Sequence, residues 1–297
     1  MKRFLTSILM FGALLTPVGL LAQRAPQRIL TLVQVLSETE EVQVRWPQAI
    51  AVASGERIAV ADAYGPRLVI ANRIGVSWRL DEEIVLPGVP VGVAWSEGHW
   101  VLTLRGARDL LTIDDATRSL GRAPLPAGVV PGVLAGAPGG GLLVFDTAGS
   151  RILRLDRDGK IVASASADHT VTGLAAAAGG GFLASIGARS RVLHFDAAGE
   201  LQDSWSLPAD GPVPTWPTGI AIGPEGRIMV ADRHNGRILA LDDQGSVVGL
   251  GGRRGWDPGL LRYPAGLAWT PTGGLLIADL GNGRVQLFRL TSGSPGS

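Results

Sequence analysis

Asp232 and Arg237 stand five residues apart, and the same spacing returns at Asp279 and Arg284, Asp62 and Arg67, and Asp146 and Arg151. A carboxylate and a guanidinium at fixed spacing allow two kinds of chemistry. Four acids gathered around one axis would hold a cation or a polar ligand. Four separate pairs would instead cap tight turns, each Asp oxygen taking backbone N–H groups while the Arg neutralises it. Recurrence favours structural turn pairs, because a reaction site is asymmetric whereas a turn cap repeats with every unit.

Other chemistry is sparsely supplied. The four histidines, His99, His169, His194 and His234, are scattered along the chain, and there is no cysteine to form a disulfide or a thiolate metal site. No Gly-x-Ser-x-Gly elbow, His-Glu-x-x-His pair or phosphate-binding Gly-x-x-x-x-Gly-Lys loop is present. The glycine runs at 139–141 and 179–181 lie between strand-like segments with no helix to follow, so they read as hairpin turns. No catalytic residue and no cofactor is expected.

The elements that must carry these pairs are short strands. Each pair sits behind an apolar run that opens on a repeated phrase: Pro47-Gln-Ala-Ile, Pro90-Val-Gly-Val, Pro131-Gly-Val-Leu, Val171-Thr-Gly-Leu, Pro217-Thr-Gly-Ile and Pro264-Ala-Gly-Leu. Successive copies start 43, 41, 40, 46 and 47 residues apart, matching the ~40–45 residues of a four-stranded propeller blade. Within one copy the runs Gly219-Ile-Ala-Ile, Arg227-Ile-Met-Val-Ala, Arg237-Ile-Leu-Ala-Leu and Ser246-Val-Val-Gly-Leu are strand-length and separated by Gly, Asn and Asp turn signals. The sixth copy runs out after Arg284–Leu290, leaving a polar tail over 291–297 that is expected to be flexible. The strand-like segment 28–36 has no partner of its own, and it is expected to complete blade six and hide an open edge.

On these residues the chain resembles the NHL-repeat family of six-bladed β-propellers, in its extracytoplasmic bacterial form. The likeness spans 47–290 and is best in Val230-Ala-Asp-Arg-His-Asn-Gly-Arg-Ile238, in Ile277-Ala-Asp-Leu-Gly-Asn-Gly-Arg-Val285 and in the linker 251–264. Blade two departs from the pattern with Leu104 and Asp109, and blade four with Ile186 and Arg191. The resemblance implies an all-β fold of four-stranded blades. Related propellers include the peptide-amidating lyases, which implies a zinc held by histidines near the starts of the inner strands. Here the corresponding residues are Gln48, Val91, Gly132, Thr172, Thr218 and Ala265, of which Gln48, Thr172 and Thr218 would put polar groups at the channel entrance. None is an ordinary zinc ligand, and a catalytic zinc wants about three.

The turn loops also hold residues that break the repeat: Tyr64, Arg105, Arg108, Arg189, Arg233, His234, Asn235 and Asn282. In a propeller they share the face onto which the inner strands open. Four arginines there suit a protein, peptide or anionic ligand held by bidentate guanidinium contacts; the competing reading is a solvated polar rim. The expected function is a non-enzymatic binding or scaffold module for a protein, peptide or other extracellular ligand, with a metal-dependent lyase or hydrolase in the channel as the alternative.

Composition agrees with an all-β domain, at 46% hydrophobic residues with 42 glycines and 19 prolines. The formal net charge of +1 marks no face for nucleic acid. Residues 1–22 read as an export signal: Lys2-Arg3, an apolar stretch from Phe4 to Leu15, Pro17 and Gly19, then Leu20-Leu-Ala22. Cleavage after Ala22 would leave a periplasmic or secreted propeller over 23–290; the alternative is an uncleaved anchor, since Leu20 is larger than the usual residue there. No other segment approaches the ~18 apolar residues of a membrane span.

Overall fold

In five blades the inner strand starts at the proline of the repeated phrase, as Pro47–Val52, Pro90–Ser96, Pro131–Ala137, Pro217–Ile222 and Pro264–Trp269, whereas in blade four, whose phrase opens on Val171, it is shorter and starts at Gly173 (Gly173–Ala176). Proline tolerates the first position of a strand because no ladder hydrogen bond is lost there. In the five copies that open on proline, the register with the next strand slips just after it, as between Pro217 and Ile220 or Pro264 and Leu267. Such a bulge re-aims the inner strand, and it brings neighbouring inner strands together. A Cβ on Gly219 would collide with the Ala265 carbonyl oxygen, and one on Gly173 with that of Thr218. The repeated glycine is thus a close-approach residue.

The computed structural model describes residues 27–36, 42–53 and 57–291. They form an all-β, six-bladed propeller in which each blade is an antiparallel sheet running from the inner strand outwards. The export signal expected over 1–22 and all but the first residue of the expected tail lie outside the described residues, among which no helix is long and apolar enough to cross a membrane. The core is divided into six apolar wedges, one between each pair of neighbouring blades. The second strands are buried on both faces; Ile228–Asp232 is buried throughout.

The N-terminal segment closes the ring in two steps. Strand β2 (Leu30–Val35) runs antiparallel to Arg284–Leu290 and completes blade six, as the unpaired edge required. Before it, β1 (Gln27–Arg28) pairs in parallel with the outer strand Val247–Gly251 of blade five, where Ile29 N–H reaches the Leu250 carbonyl at 3.1 Å. The single strand expected over 28–36 is therefore two, bending at Ile29 from one blade to the next. Gly249 and Gly251 leave the space that Ile29 and Leu30 fill. Trp205 lies in the outer strand Leu201–Ser206 and packs into the wedge between blades four and five.

Candidate functional site

The four repeated aspartates are at most 1% exposed, and each is used up inside its own blade. Asp62 accepts the N–H groups of Arg45 (2.9 Å), Trp46 (2.8 Å) and Tyr64 (3.0 Å) and pairs with Arg67 at 3.1 Å. Asp146 takes Val130 N–H and Arg151 Nε at 3.1 and 3.0 Å. Asp232 takes Trp216 N–H (3.1 Å), Arg237 Nε (2.9 Å) and the Asn235 amide (2.7 Å). Asp279 takes Arg262 N–H (2.6 Å), Arg284 Nε (3.0 Å) and the amides of Asn282 and Gln286. Each aspartate thus ties the linker that enters its blade to the turn that leaves the second strand. This places the turns and the inner-strand entrances on one face, called the top.

The electrostatics differ between copies. Burial raises the Asp146 carboxyl, but the Val130 N–H and the Arg151 guanidinium outweigh it and the net shift is downward. For Asp279 burial dominates, and the carboxyl is pushed up despite the Arg262 N–H and the Asn282 amide. Blades two and four lack the aspartate. There Leu104 and Ile186 are buried, and the turn of blade four reaches instead to the linker entering blade five, where the Ser190 hydroxyl donates to the Thr215 carbonyl.

The top-face residues singled out from sequence separate into three groups. Asn235 and Asn282 are turned inward onto their own turn aspartates. Tyr64, Arg105, Arg108 and Arg189 lie on the exposed rim: Tyr64 meets Trp46 edge-on at 6.0 Å, and Arg189 is bonded to His169. Only Arg233 and His234 reach the mouth of the central channel. At the channel entrance Thr172 donates to the Pro217 carbonyl at 2.7 Å, and Thr218 to the Pro264 carbonyl at 2.9 Å. Both hydroxyls therefore stitch one inner strand to the next. Gln48 lines the mouth between them and the opposite wall.

The mouth is a cavity of about 600 Å³. Its floor and walls are apolar, with Phe145, Val171, Val91, Leu280 and the indole of Trp216; its polar groups are Gln48, four threonines, Arg233 and His234. No acidic side chain lines it. Trp216 was missed by sequence reasoning as a site residue. Its ring stacks at a tilt on His234, centroids 5.0 Å apart, and leans over Gly187, where a Cβ would stand 2.6 Å from the indole nitrogen. The signal was present in blade four, where the Asp-x pattern is replaced by Ile186-Gly187, but only the fold shows whose ring occupies the gap. Arg233 lies 5.6 Å from the Tyr263 ring centre, and Arg254 and Arg262 flank the same ring. None of these three arginines has a carboxylate partner among the described residues. Below the mouth the channel continues as a bore of about 410 Å³ lined by all six inner strands, with Trp95 and Trp269 at its lower end.

Fold and turn pairs together define an NHL-type six-bladed propeller whose channel opens on a cationic, apolar-floored mouth. Residues 215–247, which contain Trp216, Arg233 and His234, match the NHL repeat family. No curated protein is similar in sequence. Among solved structures, a gluconolactonase from Xanthomonas campestris superposes with a TM-score of 0.68 at 16% identity, covering 91% of this chain and 96% of that one. A streptogramin B lyase superposes with a TM-score of 0.63 at 14% identity, covering 89% and 98%. Virginiamycin B lyase from Staphylococcus aureus, in a catalytically inactive form with quinupristin, gives a TM-score of 0.61 at 16% identity, covering 88% of each chain. At these identities the likeness is one of fold.

Proposed function

We propose that the protein is an exported binding module whose top mouth captures an anionic group carried on an apolar or aromatic body, such as an acidic segment of a partner protein or peptide. The observation that carries this reading is the mouth itself: about 600 Å³, within the ~300–1,000 Å³ usual for ligand pockets, with Arg233 and His234 at one side and no acid among its lining residues. Arg233 offers a fork for a carboxylate, Trp216 and Phe145 offer ring faces, and the rim arginines Arg105, Arg108 and Arg189 would steer the approach of an anion. The test is titration with a labelled acidic peptide containing one phenylalanine. Arg233→Glu combined with His234→Ala should weaken binding at least ~10-fold, about 1.4 kcal/mol. Unchanged affinity in that variant would refute the reading.

The second reading, a metal-dependent lyase or hydrolase in the channel, draws on His234, whose ring lines the mouth. Among the described residues no three His, Asp or Glu side chains converge as a metal would require. Stoichiometric zinc or calcium that survives dialysis of the purified protein would favour this reading over the first.

A further inference from the structure

The wedges between blades follow a rule with one exception. At the lower end of each blade, a residue early in the second strand faces one on the third: Ile58–Ala71, Trp100–Ile113, Leu142–Leu155, Phe182–Phe195, Ile228–Leu241 and Leu275–Phe288. Three of these pairs bring an aromatic ring to the wedge. Where the pair is aliphatic in blades one and five, an outer-strand tryptophan, Trp78 or Trp205, fills the same wedge. Leu142–Leu155 has neither. The wedge between blades two and three is built of Ala, Val, Leu and Ile alone. That is where a cavity of about 370 Å³ opens, with Leu142, Leu155, Val101 and Leu110 as its walls.

The rim of this cavity has the opposite charge to the top mouth. It is formed by lower-face turns carrying Glu97, Asp156 and Asp158, with Arg157 as the only permanent cation among the lining residues. Asp156 accepts the N–H groups of Asp158 and Lys160. Glu97 is held at φ 42°, a conformation that costs a non-glycine residue energy, and its side chain lies over Gly140, where a Cβ would come within 2.7 Å of it. The exposed carboxylates of Glu97 and Asp158 have no cationic partner within ion-pair distance among the described residues.

We infer that the gap between blades two and three is a second ligand site, for a small cation that places an aromatic or branched apolar body where the missing ring would stand and an ammonium group against Glu97 and Asp158. The walls supply an apolar slot of ligand size, and the rim supplies the charge that selects amine over acid. This site is independent of the top mouth in position, charge and preferred ligand.

The experiment is calorimetric titration of the full chain with tryptamine and with tryptophol, which share a ring and tail length and differ in the tail's charge, tryptophol carrying a neutral hydroxyl in place of the ammonium. Tryptamine should bind at least ~10-fold more tightly, with Arg233→Ala leaving its affinity unchanged. Glu97→Gln with Asp158→Asn, both at the surface, should bring the two affinities within ~2-fold of each other by weakening tryptamine. Leu142→Phe with Leu155→Phe, which transplants the blade-four pair, should abolish tryptamine binding while raising the thermal midpoint. Absence of tryptamine binding, equal affinity of the unaltered protein for both probes, or tryptamine affinity unmoved by Glu97→Gln with Asp158→Asn would overturn the inference. The last comparison decides it even if the phenylalanine variant fails to fold.

Discussion

Replacing Asp232 with alanine isolates what one turn pair contributes. The carboxylate is fully buried, and Arg237 is only 9% exposed. The substitution removes the 2.9 Å contact to Arg237, strands the Trp216 N–H and releases the Asn235 amide. Arg237 keeps the Pro208 carbonyl at 3.2 Å and a 3.5 Å approach to Asp210, so its charge is partly but not fully compensated. Breaking one side of a buried pair costs ~3–5 kcal/mol, and the remaining contacts place this case near the lower end. With ~2–4 °C per kcal/mol for a domain of this size, the thermal midpoint should fall by roughly 6–12 °C in calorimetry or circular dichroism. The double variant Asp232→Leu with Arg237→Met, which imitates the buried Leu104 of blade two, removes the uncompensated charge as well and should be less harmful than the single change. A single variant that melts within ~2 °C of the parent, or a double variant that melts below the single, would refute the account of these pairs as rivets.

Three further outcomes follow from the geometry. Deleting residues 23–36 should lower the thermal midpoint by more than 10 °C, because it exposes both the Arg284–Leu290 edge and the outer edge of blade five. Asp146→Asn should destabilise the protein at pH 7, with the deficit shrinking in urea titrations as pH falls below ~4. The Asp146 carboxyl is held below its ordinary range, so its contribution is present above the unfolded value and lost on acidification through the folded one. Gly219→Ala should cost ~1–3 kcal/mol by overpacking, since the added methyl meets the Ala265 carbonyl of the neighbouring inner strand.

The architecture was legible because its markers are local. Proline at a strand start, glycine at a close approach and the Asp–Arg spacing all recur within one unit, so six copies reinforce one another even where Leu104 and Ile186 break the pattern. The division of labour among top-face residues was not legible. Arg233 and Asn235 are two positions apart in one turn, yet one faces the channel and the other caps Asp232; a turn residue's direction depends on φ and ψ, which composition does not encode. Only the fold brings Trp216 over Gly187 and against His234. The bend at Ile29 was hidden for the same reason: the glycines that admit it, Gly249 and Gly251, are more than 200 residues away in the chain.

The bridging N-terminal segment sets the order of events during synthesis. Leu30 pairs with Leu290, and Gln27 with Gly249, so among the described strands the first ones made wait for partners more than 200 residues later in the chain. Until blade six exists, an apolar strand and the edges that await it are open to other chains, the situation in which nascent sheets aggregate. A propeller sealed in this way cannot mature blade by blade into a finished ring. Its closure waits for the strand Arg284–Leu290, after which β1 and β2 cannot peel away without opening blades five and six together.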